Sequence, residues 1–341
     1  MSTSGPTPPA ISVLVPVRDE ERGIRQSVDA MRAQEVDDEF ELLFIDGRSV
    51  DTTRAILEEL SEGDPRIRIL DNPAGGIPQA LNVGLRAARG KYVARMDAHT
   101  LYPTRYLAHG VERLRVGDVD WVAGPALARG RSGGSRRVAL ALGSRLGVGG
   151  ASFRRVQTRE IETDAGFTGL WERRTLLAHG GWDESWAVNE DGELAARIRS
   201  GGGRIVCLPE MAAAYEPRAT VGQLVRQYGR YGRYRAKTSR RHPESMRRSH
   251  LIPPAALATC LGAFLPGRLG IPCRIGAGLY AAALLVAGAS AVRRAQPPTD
   301  AVRVPVLLAA MHLSWAAGFV VGSARFGPPL AAIANLVRGV R

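Results

Sequence analysis

The stretch KYVARMDAHTLYP, residues 91–103, decides the fold. An apolar run typical of a buried strand ends there at an acid, and a small residue and a histidine follow. Three runs upstream share this apolar character and predict further strands: ISVLVPV at 11–17, FELLFI at 40–45 and RIRIL at 66–70. Helical patterns separate the strands: one ends near residue 34, one runs from about Asp51 to Leu60, and one covers 78–89.

Strands that alternate with helices predict an α/β fold with a parallel sheet covered on both faces. In such sheets ligands bind beyond the carboxyl ends of the strands, and four acids follow strands here: Asp19, Glu20, Asp46 and Asp97. A Rossmann dinucleotide domain needs GxGxxG after its first strand, whereas this chain has PVRDEERG. Acids at that place would repel a pyrophosphate unless a cation intervened. The pattern therefore predicts carboxylates that bind a base or ribose and leave the phosphates to a metal.

The triplet Asp97-Ala98-His99 is the candidate metal site. Residues two apart share one face of an extended segment, so Asp97 and His99 are predicted to grip one ion. Oxygen ligands suit Mg²⁺ and Mn²⁺, and the imidazole favours Mn²⁺. Such an ion would neutralise the charge of a departing diphosphate. The structural alternative is that Asp97 only caps the next helix.

Two further segments lie near the predicted strand ends. DGRSVD, residues 46–51, offers Asp46 as an acceptor for a base NH, whereas Asp51 either caps the following helix or joins the site. NPAGGIPQALNVG, residues 72–84, brings a glycine pair to a helix start, where backbone NH groups can face a phosphate. Taken alone, the glycine pair indicates no more than a turn.

NEDGELAARIRSGG, residues 189–202, places Glu190 and Asp191 at the start of an amphipathic helix. Acids in a first helical turn often only balance the helix dipole. The functional interpretation is that one of them is a general base, because a neighbouring carboxylate raises the proton affinity of its partner. Trp182 and Trp186 precede these acids and offer aromatic faces to an acceptor sugar, with core packing as the alternative.

The chain has 341 residues, of which 45% are hydrophobic, and a formal charge of +13. This excess of positive charge indicates an anionic partner: a nucleic acid, an acidic membrane leaflet or a phosphorylated ligand. The three cysteines form no CxxC pair, so neither a disulfide framework nor a zinc site is predicted. Residues 1–10 lack the basic and apolar regions of a signal peptide and predict a flexible start.

A basic stretch, 218–250, precedes the apolar end of the chain. Residues 275–292 and 304–324 carry no charge, and both are long enough to cross a bilayer. Residues 251–267 are a weaker candidate because prolines lie near both ends, and the alternatives for them are to span the bilayer, to re-enter it or to lie in its interface. The alternative is a set of buried core helices in a soluble protein. Because basic residues favour the cytoplasmic side, the sequence predicts a cytoplasmic domain held against anionic lipid at the cell membrane.

The charges of two loops disagree about the topology. Arginines in the loop 293–303 favour a cytoplasmic position for that loop, and arginines after residue 324 favour the same position for the tail. Both positions cannot hold if 304–324 crosses the bilayer once. The sequence therefore predicts two to three spans without fixing their arrangement.

QYGRYGRYR, residues 227–235, alternates aromatic residues with arginines. Such a run is also typical of nucleic-acid binding. However, the densest basic stretch adjoins the apolar tail, so we expect no nucleic-acid partner. A helix would place Gln227, Arg230, Tyr231 and Tyr234 on one side, where they would close over a pyrophosphate.

Taken in order, PVRDE, DGRSVD, RMDAH, NED and QYGRY resemble the motifs of the family 2 inverting glycosyltransferases of GT-A fold. Within that family, the chain is similar to the membrane-associated, succinoglycan-type glucosyltransferases of bacterial polysaccharide synthesis. The resemblance covers about 11–235 and the general plan of the apolar tail. It implies a GT-A domain at 11–217, a basic membrane-interface segment at 218–250, and transmembrane or membrane-associated helices at 251–341.

The resemblance also implies roles for individual residues. Glu20 and Asp46 would hold the nucleoside, a uridine. Asp97 and His99 would stand at the metal motif, which is usually DxD, and Asp191 beside Glu190 would deprotonate the acceptor hydroxyl. The other matched positions are Pro16 and Arg18 with Asp97 in the nucleotide-sugar site, and Gln227, Arg230 and Tyr231 by the acceptor and diphosphate.

Two departures from the family pattern shape the expected function. His99 replaces the second acid of the metal motif, and Tyr231 replaces a tryptophan. The apolar region is also far smaller than that of a processive synthase, which implies transfer of a single sugar. The expected donor is UDP-glucose or a similar nucleotide-sugar, and the expected acceptor is a lipid-linked saccharide. The alternatives are a polyprenyl-phosphate glycosyltransferase and a noncatalytic, membrane-anchored nucleotide-sugar-binding protein.

Overall fold

The computed structural model describes residues 8–149, 152–154 and 156–339. Residues 1–7 of the expected flexible start lie outside the described residues. The chain divides into two compact units: the first comprises 1–127 and 156–214, and the second comprises 128–155 and 215–341. The second unit therefore takes a segment from the middle of the chain as well as its end. The three-part boundaries at 217 and 250 remain a prediction.

The first unit is built on an eight-stranded sheet with the order β3-β2-β1-β4-β9-β6-β10-β8, and β5, β11 and β7 form a smaller sheet in that order. The strands are β1 Ile11–Val17, β2 Phe40–Asp46, β3 Ile67–Asp71, β4 Tyr92–Arg95, β5 Thr100–Leu101, β6 Trp121–Ala123, β7 Ala126–Ala128, β8 Ile161–Glu162, β9 Gly169–Glu172, β10 Ile205–Cys207 and β11 Ala213–Tyr215.

Helices cover this sheet on both faces. These helices of the first unit are α1 Ile24–Arg32, α2 Thr53–Glu62, α3 Ile77–Ala87, α4 Tyr106–Arg115, α7 Arg173–Ala178 and α8 Glu190–Ser200. The second unit, taken by itself, consists of the helices α5 Gly133–Leu142, α6 Arg145–Val148, α9 Val221–Arg241, α10 Ile252–Gly262, α11 Ile271–Ala291, α12 Val304–Phe326 and α13 Leu330–Arg338. The first four predicted strands and the three helices between them are confirmed within two or three residues at each end.

The predicted parallel pairing is confirmed for β1 to β4 and recurs between β6 and β10, whereas the other pairs of this sheet are antiparallel. Strands β3, β2, β1 and β4 pair in parallel. Strand β9 then runs antiparallel to both β4 and β6, and β8 runs antiparallel to β10. The sheet is therefore mixed, because β9 inserts between two strands that enter the sheet earlier in the chain. This arrangement keeps the ends of β1, β2 and β4 on one rim.

Apolar side chains on both faces of the sheet explain why the early strands lack polar alternation. Val13, Leu14, Leu42 and Leu43 are completely buried, because helices cover both faces. The close approach of α3 depends on Gly84, since a Cβ there would lie 2.9 Å from a methyl group of Leu14. Helix packing therefore sets which residues this part of the sequence tolerates.

In the second unit, α9 and α12 lie backbone against backbone. A Cβ on Gly232 of α9 would overlap the carbonyl oxygen of Trp315, and one on Gly318 of α12 would overlap that of Gly229. The ring centroids of Tyr234 and Phe326 lie 6.1 Å apart farther along the pair. Small residues at both surfaces are the ordinary device for such close helix packing.

Within the described residues, two helical segments are long and apolar enough to cross a membrane, Gly267–Arg294 and Pro298–Phe326. They coincide with the two uncharged runs of the sequence. The protein packing around them differs, since 22% of the most apolar window of the first segment is buried against 44% in the second.

We expect Gly232→Ala to destabilise the second unit. Its methyl group has no space beside Trp315, so the helices must separate, at a cost of about 1–3 kcal/mol in the free energy of unfolding. The matched control is Gly222→Ala in the same helix, where a Cβ meets nothing closer than 3.8 Å and alanine favours the helix. Thermal unfolding of the full chain in detergent measures both; a Gly232 variant as stable as its control would contradict the close packing.

Candidate active site

The ends of β1, β2 and β3 meet in a tightly bonded rim. The backbone amide of Gly47 donates to the carbonyl of Val17 at 2.8 Å, and the backbone amide of Asn72 donates to the backbone carbonyl of Asp46 at 2.9 Å. The Asp46 carboxylate, 8% exposed, accepts from the amide and hydroxyl of Ser49 at 3.1 and 2.6 Å. Asp46 therefore holds the turn after β2, and its contact with a base remains a prediction.

Acids also join the loop after β1 to the loop after β2. The Asp19 carboxylate accepts from the amide of Val50 at 2.9 Å. Asp51 accepts from the amides of Glu21 at 3.2 Å and Thr53, the first residue of α2, at 3.0 Å. Hydrogen bonding with Thr53 lowers the pKa of Asp51 below its usual value. These bonds support the structural alternative for Asp51, in which it fixes the start of the helix.

The centre of the site is a buried guanidinium. Arg95, the last residue of β4, donates from Nε to Asp97 Oδ1 at 2.8 Å and from Nη1 to Glu190 Oε1 at 3.0 Å. The exposed fractions of the three residues are 4%, 7% and 6%. Burial opposes the charge of Arg95, but the two carboxylates outweigh this effect and raise its pKa. Arg95 thereby joins the end of β4 to the start of α8.

Sequence reasoning treated Arg95 only as part of a strand. The available signal was an arginine inside an otherwise apolar run, two residues before a strand-end acid. A charged residue at such a position needs a buried counter-charge. Its second partner, Glu190, lies 95 positions along the chain, and no local pattern indicates that pairing.

The expectation of an extended Asp97-Ala98-His99 segment is wrong. The chain turns at Ala98 and His99, and the amide of Thr100 donates to the carbonyl of Asp97 at 3.1 Å. The amide of Asp97 in turn donates to the hydroxyl of Tyr102 at 2.7 Å. Burial, and then the charge of Asp97, hold the pKa of Tyr102 well above its usual value. The turn gives the two candidate ligands different partners, so they do not share one face of a strand.

His99 instead lies beside Glu20, with its Nδ1 3.3 Å from Oε1 of the glutamate. Its side chain is 54% exposed, in contrast to the buried Asp97. A proton on Nδ1, donated to Glu20, leaves the imidazole lone pair on Nε2, the usual way in which a carboxylate orients a metal-binding histidine. The structure thus brings together Glu20, which the sequence assigned to the nucleoside, and His99, which it assigned to the metal ion.

The donor set fits a divalent ion that the substrate helps to hold. No group of three or more histidine, cysteine or acidic side chains among the described residues is arranged to hold an ion alone. Mg²⁺ and similar ions are commonly bound through one or two protein ligands plus substrate phosphates. The contact from Arg95 Nη2 to Asp97 Oδ2 is long, at 3.4 Å, which leaves that oxygen weakly engaged. Asp97 and His99 are compatible with such a partial shell.

The two acids at the start of α8 have different environments. Glu190 is ion-paired with Arg95 and buried. Asp191 is partly exposed, and its Oδ1 accepts from the amide of Gly192 at 2.7 Å. Asn189, with a left-handed φ of 67°, precedes them and reverses the chain into the helix. The two acids therefore differ in exposure: Glu190 is buried in its ion pair with Arg95, whereas Asp191 is partly exposed.

The proposed sugar platform at Trp182 is not available in this structure. Trp182 is 2% exposed and Trp186 1% exposed. Trp182 packs edge-on against Trp171, with ring centroids 5.8 Å apart, and its backbone is held on both sides by the amide of Asn82. The burial of both indoles supports the core-packing alternative, and Trp182 belongs to an apolar cluster with Trp121 and Trp171.

The remaining candidates lie in both units. Pro16 lies in β1, and the Arg18 side chain just after it is 57% exposed. In α9, Gln227 donates to the Tyr231 hydroxyl at 2.9 Å, as helical spacing predicts, and Arg230 is exposed. The Arg154 guanidinium lies 6.0 Å from the Tyr231 ring centroid. Roles in substrate binding remain predictions for all of these residues.

Comparisons with known proteins lead to the same family that the motifs of this chain resemble. A family model described as glycosyl transferase family 2 matches residues 12–179. The succinoglycan biosynthesis protein ExoA of Rhizobium meliloti (strain 1021) is 32% identical over 94% of this chain and 96% of its own length.

Solved structures extend the likeness to the fold. Mannosyltransferase PcManGT from Pyrobaculum calidifontis, in complex with GDP-Man and Mn²⁺, is 20% identical with a TM-score of 0.51 and covers 97% of this chain and 88% of that one. S. aureus TarS 1–349 is 16% identical with a TM-score of 0.50, covering 93% and 91%. At these identities the likeness supports the α/β fold.

We expect Arg95→Met to destabilise the first unit strongly. The change leaves the carboxylates of Asp97 and Glu190 buried without a counter-charge, which costs about 3–5 kcal/mol. Arg54→Met is the control, because its pairs with Glu58 and Asp71 lie at the surface and contribute less than about 1 kcal/mol. Chemical unfolding of both variants gives the comparison, and equal losses would show that Arg95 is not the central cation.

Proposed function

This chain belongs to glycosyl transferase family 2, and on that premise we propose that it transfers one sugar from a nucleotide-sugar to a hydroxyl of a lipid-linked saccharide. The transfer inverts the anomeric centre. One observation carries the proposal: the buried Arg95 holds the start of α8, and with it Asp191, at the end of β4 beside Asp97. The proposed base and the proposed donor site would thereby lie on one rim of the sheet.

The donor in this proposal is UDP-glucose or a similar uridine nucleotide. Glu20, Asp46 and Asp97 would bind the nucleoside diphosphate together with Pro16 and Arg18. Support comes from the acids after β1, β2 and β4, which share one rim, and from the exposed Arg18 guanidinium, which lies against the Gly75 turn. A relative named for succinoglycan biosynthesis supports polysaccharide or glycoconjugate synthesis as the setting.

Asp97 and His99 would hold a divalent ion, Mn²⁺ or Mg²⁺. When bound, the ion supplies positive charge for the departing diphosphate. Within the protein, Glu20 would fix the orientation of the His99 ring, and Arg95 would hold the Asp97 carboxylate in place through its contact at 2.8 Å. The mannosyltransferase solved with Mn²⁺ supports a metal in this fold.

Asp191 would act as the base. It would accept the proton of the acceptor hydroxyl as the oxygen forms its bond to the anomeric carbon from the face opposite the nucleotide. The bond from that carbon to the diphosphate oxygen breaks in the same displacement. Glu190 would not take this role in the proposal, because it already pairs with the buried Arg95. It is a positioning residue for the helix that carries Asp191.

The acceptor in the proposal is bound at the cytoplasmic face of the cell membrane. The basic residues of 218–250 would contact anionic lipid, and Gln227, Arg230 and Tyr231 would face the acceptor and the diphosphate. The hydrogen bond between Gln227 and Tyr231 supports a fixed arrangement of that helical turn.

The first experiment titrates UDP, GDP and ADP into detergent-purified full-length protein, with and without Mn²⁺. We expect UDP to bind most tightly and to need Mn²⁺ for binding. His99→Ala should lower the Mn²⁺-dependent affinity for UDP by at least about tenfold, since a lost ligand typically costs that much affinity. His109→Ala, a partly buried histidine of α4, is the control. Metal-independent binding unaffected at His99 would remove the metal role, and no nucleotide binding by folded protein would contradict the proposal.

A second prediction separates the two acids of α8. Asp191→Asn should lower kcat by about 10²–10⁴-fold because the base is lost. UDP binding and the melting temperature should stay close to wild type, since the amide oxygen of asparagine can still accept from Gly192.

The exposed Glu62→Gln is the control for charge removal in the Asp191 assay. Turnover is followed as release of UDP with a lipid-linked saccharide, and the product is checked for a new glycosidic bond. An Asp191→Asn variant with wild-type kcat would exclude Asp191 as base. A product whose new bond joins sugar to phosphate would instead support transfer to a polyprenyl phosphate.

A further inference from the structure

The apolar helix α12 is the core helix of the second unit. Leu308 and Met311 are completely buried, and His312 is 8% exposed. The two imidazole nitrogens of His312 lie 3.0 Å from the Tyr280 hydroxyl of α11 and 3.0 Å from the carbonyl oxygen of Leu146. Protein, including polar groups, thus surrounds the middle of α12 at positions that would face lipid in an isolated span.

The basic helix α9 covers the second half of α12. The two helices run parallel. Near the start of α9, Leu224 shares an apolar cluster with Met311 of α12. Near the end of α9, the ammonium group of Lys237 lies 5.6 Å from the Phe326 ring centroid. The basic residues along this stretch of α9 are Arg226, Arg230, Arg233, Arg235, Lys237, Arg240 and Arg241. Each would cost roughly 2.5–3.5 kcal/mol at the centre of a bilayer. If α12 crossed, several of these cations would cross with it.

The loop between α11 and α12 is tied to α5. Asp300, 3% exposed, accepts from Arg137 at 2.7 Å and from Arg136 at 3.4 Å, and Arg294 donates to the carbonyl of Gly143 at 2.7 Å. The chain from the end of β7 to the start of α5 reaches at most about 18 Å. That is less than the roughly 30 Å of a hydrocarbon core. The loop therefore lies on the same side of a membrane as β7.

The α10–α11 hairpin, residues 252–291, differs from the middle of α12 because many of its apolar side chains are exposed. Large apolar side chains project from it into solvent: Phe264 is 87% exposed, Leu269 78%, Leu279 69% and Ile275 60%. Exposed apolar surface of this size on one element indicates a binding surface. Its two charges are Arg268 and Arg274, and the latter donates to the carbonyls of Leu265 and Gly267.

The dimensions of the hairpin exclude a crossing. The part of α11 that precedes Tyr280, whose hydroxyl lies 3.0 Å from His312 of α12, is only about 14 Å long at about 1.5 Å per residue. A hydrocarbon core is roughly 30 Å thick, so a hairpin inserted upright would leave Arg268 near its middle. Lying in the boundary between headgroups and acyl chains, the hairpin buries its apolar side chains while both arginines reach the headgroups.

We propose that the second unit binds one leaflet as a monotopic element, with the α10–α11 hairpin in that leaflet and α12 not crossing the bilayer. The proposal rests on the membrane role given above and specifies its topology. It removes the conflict between the charged loops, because 293–303 and the tail after 324 both stay on the cytoplasmic side. The occupant of the exposed hairpin surface is phospholipid.

Topology is tested with single cysteines in full-length protein expressed in membranes. Cys260 and Cys273 are changed to serine, while Cys207 is kept, because burial raises its pKa to about 12 and it does not compete for label. Reporter cysteines replace exposed valines: Val302 between α11 and α12, Val337 in α13, and Val116 in the first unit.

A membrane-impermeant maleimide is then applied to inside-out and right-side-out vesicles. We expect all three reporters to label in inside-out vesicles and none in right-side-out vesicles. If the two apolar segments cross, Val302→Cys will label from the opposite face to Val116→Cys and Val337→Cys, and the proposal is overturned. That result would leave sugar transfer by the same preparation intact, so the two failures are distinguishable.

Acidic substitutions in the hairpin test its contact with lipid. Phe264→Asp with Leu269→Asp should weaken binding to vesicles containing anionic lipid by at least about tenfold, since two buried apolar side chains are lost. Val116→Asp, also at an exposed valine, is the control. UDP binding should be unchanged in both variants, which shows that the protein is folded. Unchanged vesicle binding by the double variant would overturn the proposal. Intermolecular crosslinking of Leu269→Cys in detergent would also overturn it, because a second copy of the chain and not lipid would then cover the hairpin.

Discussion

The ion pairs of Arg95 are the constraint on which the candidate site depends. A guanidinium has a rigid fork of donors, and here the fork is divided between Asp97, just after β4, and Glu190, at the start of α8. None of the three charges is exposed enough for water to replace a missing partner. A strand end and a helix start that are distant in sequence are thereby fixed to each other, and the exposed groups nearby, Asp191 and His99, take their positions from this buried centre.

A different constraint governs the second unit. Glycines in α9 and α12 allow two helices of opposite character, one strongly basic and one apolar, to pack at backbone distance. In that arrangement the middle of α12 is covered by its own protein, while Val306, Val320 and Val321 of α12 stay exposed, and the bulkiest exposed apolar side chain, Phe264, belongs to the α10–α11 hairpin. Hydropathy alone does not separate the two long helices. Their burial does, because it shows which apolar surface already has a partner.

The sequence predicts those features of the fold that depend on local pattern. Strands β1 to β4 and their helices follow from apolar runs and helical periodicity, and the acids at the strand ends follow from the order of the elements. The antiparallel β9 and the pair of Arg95 with Glu190 were not predictable, because both depend on contacts far apart in the chain. The extended segment expected at Asp97 to His99 was wrong, because a turn takes its place, and the metal role of the two residues stays a prediction. The burial of Trp182 depends on Trp171 and Asn82, which no spacing rule connects.

The path of the chain makes the two units inseparable as genetic modules. The segment 128–155 belongs to the second unit, although residues of the first unit precede and follow it. Its apolar residues Val138, Ala141 and Leu142 are buried together with Leu308 and Met311. A gene fusion or a stop codon after residue 214 would therefore leave an internal, partnerless apolar helix in the remaining piece. Recombination at a single junction therefore cannot exchange the second unit for another, so the two units must diverge together, in keeping with a likeness that runs through nearly the whole of both chains.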